Sequence, residues 1–313
     1  MCPSAEGGLA ARFAAPDLHT RLVALGDVEI ATDLPDDAEI RDRLRGADAV
    51  LLSVHLPDET LRACADRLRL VAFTGTGAAS YVNLALAHEL GITVTNVTHY
   101  GDRAVAEHAL ALLLASSRGI AAQDRALRDG DWSGCAGVEL DGATVGVVGF
   151  GGIGRTFAQL VDALGMRVLV WDRTVDDADL ARVHGSRAEL PDLFASSDVV
   201  SLHLPLTPQT RSLVGPDLLD RLRPGSLLVN TARGELVEPG ALAARLARGD
   251  VRAALDVFDP EPLPADDALL RAPGTVLTPH LGFRTPQALQ RMAIGTVEAV
   301  EAFYRGAPVR VVA

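Results

Sequence analysis

The chain has 313 residues, which exceeds the usual size of one domain, so two domains are expected. Its formal net charge of −12 disfavours nucleic acid as a partner, because an acidic surface repels phosphate backbones. The sequence shows no signal-peptide pattern and no apolar stretch of membrane length, so the protein is expected to be soluble and cytoplasmic. Its three cysteines have neither a disulfide spacing nor a metal-ligand spacing, so no metal is expected.

The first hundred residues show a loose alternation of strands and helices. Short apolar runs predict strands at 48–54, 69–74 and 91–97. Apolar residues at helical spacing predict helices at 37–45 and 57–68. The opening stretch, GLAARFAAPD, does not make a convincing first strand. These elements indicate a small α/β domain.

A regular strand–turn–helix pattern begins at about residue 143. The predicted strands are 144–149, 166–171, 198–204, 225–230, 252–257 and 274–278. Helices are predicted after the first of these strands, at 239–249, at about 286–304, and at about 102–118, where the helix joins the two series. Alternating strands and helices indicate a parallel sheet that is covered on both faces.

A glycine-rich turn, GFGGIGR, follows the first strand of this pattern and opens a helix. Gly149, Gly151 and Gly154 give the spacing G-x-G-x-x-G, which by itself is a weak signal. In this context the glycines permit a tight turn, close approach of a pyrophosphate, and close packing of helix on strand. The N–H groups of Gly152 and Ile153 then lie at the start of the helix, where anions bind.

An acidic residue ends the second strand of the pattern. Asp172 comes 18 residues after Gly154, where a carboxylate can accept both ribose hydroxyls of an adenosine and would repel a 2′-phosphate. The cofactor is therefore predicted to be NAD rather than NADP. The alternative is an ordinary tight turn with a solvated Asp172.

Further polar residues follow the later strands. They are Pro205 and Thr210 in PLTPQT, Thr231, Ala232 and Arg233 in TARG, Asp256 and Glu261 in DVFDPEP, and His280 in TPH. Because parallel strands end at the same edge of a sheet, these groups are expected to gather beside the dinucleotide.

Such a set suits hydride transfer to a 2-oxo acid. Arg233 can hold a carboxylate or carbonyl oxygen, and His280 can exchange a proton with the carbonyl oxygen. Glu261 can orient the imidazole and favour its protonated form. Taken singly, each residue also has an ordinary reading as a surface arginine, a solvated loop carboxylate or a strand-capping histidine. A nucleophile elbow for serine chemistry is missing from the sequence.

Several segments together resemble the D-isomer-specific 2-hydroxyacid dehydrogenases, from about residue 68 to 285. The matching segments are GTG, VAEHALALLLA, LDGATVGVVGFGGIG, LHLPLTPQT, VNTARGELV, ALDVFDPEP and LTPHLG. The resemblance implies a Rossmann-type doubly wound parallel sheet domain at 102–284, inserted into a smaller flavodoxin-like α/β substrate domain at 1–101 and 285–313. It also implies a homodimer, paired through the region of the long connecting helix.

The resemblance implies a role for each matching residue. Arg233, Glu261 and His280 would form the catalytic trio. The cofactor set would comprise the glycine turn, Asp172, His203, Pro205, Thr210, Thr231, Ala232, Arg233, His280, Asp256 at the nicotinamide carboxamide and Val105 against its ring. The substrate set would comprise Thr76, Gly77, Tyr100, Arg233, Phe283 and Arg284.

Departures from the family pattern bear on the substrate. The loop GTGAASYVN is one residue longer than usual, and Asn83 stands where aspartate is common. Arg284 either begins a helix in solvent or meets a second anionic group of the substrate. Formate and phosphite are disfavoured as substrates, because Glu261 and Thr76 replace the glutamine and lysine of those enzymes. A non-catalytic, corepressor-like protein that senses a dinucleotide remains the alternative function.

Overall fold

The computed structural model describes residues 8–31 and 36–313. The chain divides into two compact units, the first formed by Met1–Gly101 with Arg284–Ala313 and the second by Asp102–Phe283. The second unit is thus inserted into the first along the chain. None of the described helices is both long and apolar enough to cross a membrane.

The first unit is built around three parallel strands with helices packed on them. Its helices are α1 (Leu9–Phe13), α2 (Pro16–Val23), α3 (Asp37–Leu44), α4 (Asp58–Cys64), α5 (Leu84–Glu89) and α13 (Pro286–Tyr304). Its strands are β1 (Ala49–Leu52), β2 (Leu70–Phe73) and β3 (Thr93–Thr95), in the order β1-β2-β3. The α/β class predicted for this part of the chain is confirmed.

The opening stretch that made no convincing strand is helical. Residues of GLAARFAAPD form α1 and the start of α2, and both helices pack against α13. Arg21 on α2 donates two hydrogen bonds to Glu301 on α13, at 2.8 and 2.9 Å. The paired charges and the buried side chains of Leu18 and Leu22 hold this helix in place. Within the described residues, β1 is therefore the first strand of the chain.

The second unit is a seven-stranded parallel sheet with helices on both faces. Its helices are α6 (Asp102–Ser117), α7 (Ile120–Arg128), α8 (Gly152–Asp162), α9 (Asp177–Ala181), α10 (Leu190–Ser196), α11 (Pro216–Leu219) and α12 (Ala241–Leu246). Its strands are β4 (Thr144–Val148), β5 (Arg167–Trp171), β6 (Ser186–Arg187), β7 (Val199–Leu202), β8 (Leu227–Asn230), β9 (Arg252–Leu255) and β10 (Thr275–Leu277).

The strand order reverses beside β4. The sheet runs β10-β9-β8-β7-β4-β5-β6, so successive strands are added on one side of β4 and then, from β7 onward, on the other. This doubly wound order confirms the Rossmann-type prediction, and ligands bind such sheets at the point of reversal. All six predicted strands are present. The two-residue strand β6 was not predicted, because so short a segment carries no periodic signal.

Candidate active site

The glycine turn joins β4 to α8 at the point where the strand order reverses. Gly149 has a φ of +96°, and a Cβ there would lie 2.8 Å from the carbonyl carbon of His203. A Cβ at Gly154 would overlap the carbonyl oxygen of Gly149. Both positions therefore require glycine. Gly151 caps α8 without a side-chain acceptor, which leaves the first N–H groups of the helix, at Gly152 and Ile153, available to an anion.

The carboxylate of Asp172 is fastened to the glycine turn. Its Oδ2 accepts a hydrogen bond from the Phe150 N–H at 2.7 Å, and its Oδ1 accepts one from the Thr174 N–H at 2.8 Å. Burial raises the pKa of this carboxyl, but the hydrogen bonds outweigh burial and hold its pKa below the usual range. Asp172 is therefore ionised at neutral pH, immediately after β5 and beside the turn.

The segment after β7 forms a rigid turn next to a buried histidine. The carbonyl of Pro205 accepts a hydrogen bond from the Thr210 hydroxyl at 2.7 Å, which closes the loop on itself. The His203 ring is 8% exposed, and burial lowers its pKa to about 3, so it is neutral. Its Nε2 lies 2.9 Å from Ser201 Oγ, and its Nδ1 has no hydrogen-bond partner among the described residues.

The residues after β8 are shaped by Asn230, the last residue of that strand. Its Oδ1 accepts a hydrogen bond from the Ala232 N–H at 3.0 Å, and its Nδ2 donates to the Arg233 carbonyl at 2.9 Å. The Arg233 guanidinium donates to the Ala232 carbonyl at 2.6 Å and, within the described parts of the chain, has no carboxylate within 4.0 Å. The Thr231 hydroxyl is buried and likewise lacks a partner among the described residues.

Glu261 and His280 are paired. His280 Nδ1 lies 2.7 Å from Glu261 Oε2, and Glu261 Oε1 accepts a hydrogen bond from the Phe258 N–H at 2.9 Å. Burial raises the pKa of Glu261, but the hydrogen bond and charge of His280 lower it further than burial raises it, with help from Phe258 and Arg233. An ionised carboxylate only accepts hydrogen bonds, so the network assigns the proton to Nδ1 and leaves Nε2 for proton exchange.

Asp256 holds the backbone on both sides of His280. Its Oδ1 accepts hydrogen bonds from the Thr278 hydroxyl at 2.6 Å and the Leu281 N–H at 2.8 Å, and its Oδ2 accepts one from the Gly282 N–H at 2.8 Å. The residue is 1% exposed. Burial raises the pKa of this carboxyl, but the hydrogen bonds lower it more, so the pKa lies below its usual value. The predicted contact of Asp256 with a nicotinamide carboxamide stays a prediction.

The remaining predicted residues divide between the two units. In the second unit, Val105 is half-buried on α6, and the Phe283 ring meets the His280 ring edge-on at 5.8 Å between centroids. In the first unit, the Thr76 hydroxyl donates to the Val97 carbonyl at 2.9 Å, and Gly77 begins the short helical turn that follows. Their roles toward a substrate stay predictions.

Two further predicted residues lie near the ends of the first unit's segments. The Tyr100 carbonyl accepts a hydrogen bond from Arg291 Nε at 2.8 Å. Arg284 is exposed, and none of the described carboxylates lies within 4.0 Å of it. Among the described side chains, its guanidinium therefore has no carboxylate partner that neutralises its charge.

The unusual Asn83 has a structural explanation. Its Oδ1 caps α5 by accepting a hydrogen bond from the Leu86 N–H at 3.1 Å, and its Nδ2 donates to Asp58 Oδ2 at 2.9 Å. An aspartate at position 83 would place a second carboxylate against Asp58. The amide serves both partners without that repulsion.

Three residues that shape the site were missed by the sequence analysis. They are Asn230, Thr278 and His108, whose Nε2 lies 2.9 Å from Thr278 Oγ1 and 3.2 Å from Asp256 Oδ1. His108 could not be assigned to the site from the sequence, because a histidine on a helix gives no sign of its distant partners. The polar ends of β8 and β10 were the available signal for the other two.

A model of a known protein family matches more than half of the chain. It is described as the NAD binding domain of D-isomer specific 2-hydroxyacid dehydrogenases, and it matches residues 110–282. The match spans β4 to β10 and contains the glycine turn, Asp172, Arg233, Glu261 and His280.

Relatives and solved structures agree with this match. D-3-phosphoglycerate dehydrogenase of Mycobacterium tuberculosis is 41% identical over 285 residues, which cover 89% of this chain and 54% of that protein. The chain thus spans about half the length of this mycobacterial relative. Glycerate dehydrogenase of Methylorubrum extorquens is 34% identical over 287 residues and 88% of both proteins. The TT0316 protein of Thermus thermophilus has a TM-score of 0.83 at 35% identity, covering 95% of this chain and 96% of that one.

Proposed function

The chain belongs to the D-isomer-specific 2-hydroxyacid dehydrogenase family, and on that premise we propose that it interconverts a D-2-hydroxy acid and its 2-oxo acid with NAD. The observation that carries the proposal is the 2.7 Å contact between His280 Nδ1 and Glu261 Oε2. An imidazole held this way by an ionised carboxylate presents its other nitrogen for proton transfer. When bound, NAD supplies the site at which the hydride is accepted or delivered.

The residues at the point of strand reversal fit a dinucleotide. Gly149 and Gly154 leave no room for a side chain, which keeps the turn tight and α8 close to it, and a Cβ on Gly151 would meet nothing within 4 Å, so its absence leaves space in which a pyrophosphate can approach the backbone. The N–H groups at the start of α8 would face the phosphates, and the ionised Asp172 would accept hydrogen bonds from ribose hydroxyls. Because a 2′-phosphate would be repelled by that carboxylate, NAD is the better fit.

Glu261 and His280 would carry out the proton transfer, and Arg233 would bind the substrate. In the direction of reduction, His280 would act as an imidazolium with a proton on each nitrogen: Nδ1–H stays with Glu261, and Nε2 would give its proton to the carbonyl oxygen of the 2-oxo acid as that carbon is reduced, which leaves a neutral imidazole. In the reverse direction, Nε2 takes the hydroxyl proton. Glu261 keeps the imidazole oriented throughout, and the guanidinium of Arg233, which forms no ion pair within 4.0 Å among the described residues, holds a substrate carboxylate or carbonyl oxygen.

A phosphorylated 2-hydroxy acid is the substrate class that we favour. Arg284 follows the His280 segment directly and carries a charge that no described carboxylate neutralises. Such an arginine suits a second anionic group, because guanidinium binds phosphate through parallel hydrogen bonds. The name of the M. tuberculosis relative, D-3-phosphoglycerate dehydrogenase, supports the same class.

The second unit also presents an apolar surface that suits a second copy of the chain. Helix α7 has no buried residue, and Ile120, Leu127 and Trp132 are all exposed, Trp132 to 85%. Exposed apolar side chains grouped in this way mark interaction surfaces. We therefore extend the proposal to a homodimer that is paired through α7 and the segment after it.

His280→Gln tests the acid–base assignment. The variant is expected to lose about 10²–10⁴-fold in kcat, the usual contribution of general acid–base catalysis, while NADH affinity is nearly unchanged. Turnover is measured as NADH oxidation with a panel of 2-oxo acids, and binding by the fluorescence of NADH.

The matched control for this test is His184→Gln. His184 also pairs with a carboxylate, Asp162, at 3.1 Å, but it lies at an exposed position outside the site. It should keep wild-type turnover. An active His280→Gln variant would rule out the assignment. A wild-type protein that binds NADH tightly yet reduces no 2-oxo acid would instead favour the dinucleotide sensor.

Asp172→Ala tests the choice of cofactor. We expect NADH affinity to fall about tenfold or more, because hydrogen bonds to a charged group contribute about 1.5–3 kcal/mol, and the preference for NADH over NADPH to narrow. Asp172→Asn keeps an acceptor for the Phe150 N–H, so it separates loss of the turn from loss of charge. An unchanged NADH to NADPH ratio in both variants would contradict the ribose assignment.

Arg284→Leu tests the substrate class. KM for a phosphorylated 2-oxo acid is expected to rise about tenfold, because a charge-assisted arginine–phosphate contact is lost, while KM for pyruvate stays unchanged. Arg305→Leu, at the far end of α13, is the control for removal of a surface charge from this part of the chain. An equal rise for both substrates in Arg284→Leu would contradict the proposal.

Ile120→Glu combined with Leu127→Glu tests the homodimer. Two charges on α7 should convert the dimer to a monomer, because burying unpaired carboxylates in an apolar interface is costly. The mass in solution is measured by light scattering behind size-exclusion chromatography. Val23→Glu places a charge on an exposed aliphatic residue of the first unit and should leave the mass unchanged. A wild-type monomer would contradict this part of the proposal.

A further inference from the structure

A cluster of three polar residues of the second unit, His108, Thr278 and Asp256, adjoins the segment that carries His280. His108, on α6, lies with its Nε2 2.9 Å from Thr278 Oγ1 and 3.2 Å from Asp256 Oδ1. These three residues come from α6, the end of β9 and the end of β10. Their hydrogen bonds reach the backbone just after His280, at Leu281 and Gly282.

The backbone of His280 needs such support. Its φ is +53°, in the left-handed region that side chains other than glycine adopt only at a cost in free energy. The Asp256 carboxylate accepts three hydrogen bonds from residues on the two sides of His280: one from the Thr278 hydroxyl before it, and two from the Leu281 and Gly282 N–H groups after it. The backbone carbonyl of Asp256 accepts a fourth hydrogen bond, from the His280 N–H at 2.8 Å.

The direction of the hydrogen bonds in this cluster can be deduced. The Asp256 carboxylate is ionised and only accepts, so the single proton of the Thr278 hydroxyl points to Oδ1 at 2.6 Å. Thr278 Oγ1 must then accept from His108 Nε2. His108 therefore carries a proton on Nε2 and donates it to the hydroxyl, with Asp256 Oδ1 within reach of the same N–H.

The ring of His108 also limits the space at the end of the segment. A Cβ on Gly282 would lie 3.4 Å from His108 Cδ2 and 3.0 Å from Asp256 Oδ2. The imidazole and the carboxylate thus both lie on the side of Gly282 where a side chain would point. His108 thus meets the segment at two positions: it hydrogen-bonds Thr278, and its ring occupies the space where a side chain at position 282 would lie.

We propose that His108 is a positioning residue for the acid–base pair: through Thr278, Asp256 and Gly282 it holds His280 in the conformation that directs Nδ1 to Glu261. The inference rests on the proposed function, because it assigns His108 to the same proton transfer. His108 does not itself exchange a proton with the substrate. Its contribution is to keep the His280 imidazole at the distance and angle that proton transfer requires.

His108→Phe and His108→Gln form the test. Phenylalanine keeps the ring volume and removes the donor, whereas glutamine restores an N–H near the position of Nε2. We expect kcat to fall about tenfold to a hundredfold in His108→Phe, as a displaced catalytic group would produce, with NADH affinity and substrate KM nearly unchanged. His108→Gln should recover most of kcat.

Leu112→Ala is the matched control for stability. Leu112 is a buried residue of the same helix, belongs to the hydrophobic core of the second unit and has no hydrogen-bonding side chain. It should lower Tm without the selective loss of kcat. Loss of kcat in proportion to the loss of Tm across all three variants would overturn the proposal, because it would reduce His108 to a packing residue.

A second measurement keeps the inference independent of turnover. Amide hydrogen exchange at Leu281 and Gly282 is expected to accelerate about tenfold or more in His108→Phe, because their acceptor is less firmly held, and to stay near wild type in His108→Gln and Leu112→Ala. Unchanged exchange in His108→Phe would overturn the proposal. If the wild type reduces no 2-oxo acid, the proposed function fails while this measurement still decides the positioning role.

Thr278→Val serves if His108→Phe does not fold. Valine has the shape of threonine without the hydroxyl, so it removes the hydrogen bonds that run from His108 through Thr278 to Asp256 and leaves only the direct 3.2 Å contact of His108 Nε2 with Asp256 Oδ1. The same selective loss of kcat and the same faster exchange are expected. Thr278→Val added to His108→Phe should cost little more than either change alone, because both break one network. Fully multiplicative losses would contradict a shared network.

Discussion

All seven strands of the second unit run parallel, so they end at the same edge of the sheet. That constraint gives the site its composition, because each strand delivers a different group to that edge. The glycine turn follows β4, Asp172 follows β5, Arg233 follows β8, Asp256 and Glu261 follow β9, and His280 follows β10. The reversal of strand order beside β4 leaves a crevice that suits a dinucleotide, so a bound NAD and the proposed acid–base pair would share one edge.

Asp256 is a carboxylate that is almost fully buried, so its charge is removed from water. A buried charge without partners is penalised by several kcal/mol, so it persists only where donors surround it. The Thr278 hydroxyl and the Leu281 and Gly282 N–H groups are those donors. Because the pKa of Asp256 is depressed in the folded state, its contribution to stability is present at neutral pH and is lost as the pH falls through that pKa.

Much of this site could be predicted from the sequence because its signals are local. A glycine turn between a strand and a helix, and polar residues just after strands, lie within short windows. His108 could not be predicted in this way: it meets Thr278 across 170 positions, and only the packing of α6 on the sheet brings them together. Asn83 and Asp58, 25 residues apart, illustrate the same limit, as do α1 and α2, which depend on α13 at the other end of the chain.

The three histidines at this edge show why residue type alone does not assign a role. His203 is buried beside Phe157 and has the Ser201 hydroxyl near Nε2, so burial lowers its pKa to about 3 and it stays neutral. His108 faces a hydroxyl and a buried carboxylate, and the network makes its Nε2 a fixed donor. His280 faces the ionised Glu261 through Nδ1, which leaves Nε2 as the ring nitrogen that can exchange a proton. The partner of each ring, rather than the ring itself, distinguishes the neutral His203 from His108, which is proposed as a positioning residue, and from His280, which is proposed to exchange a proton.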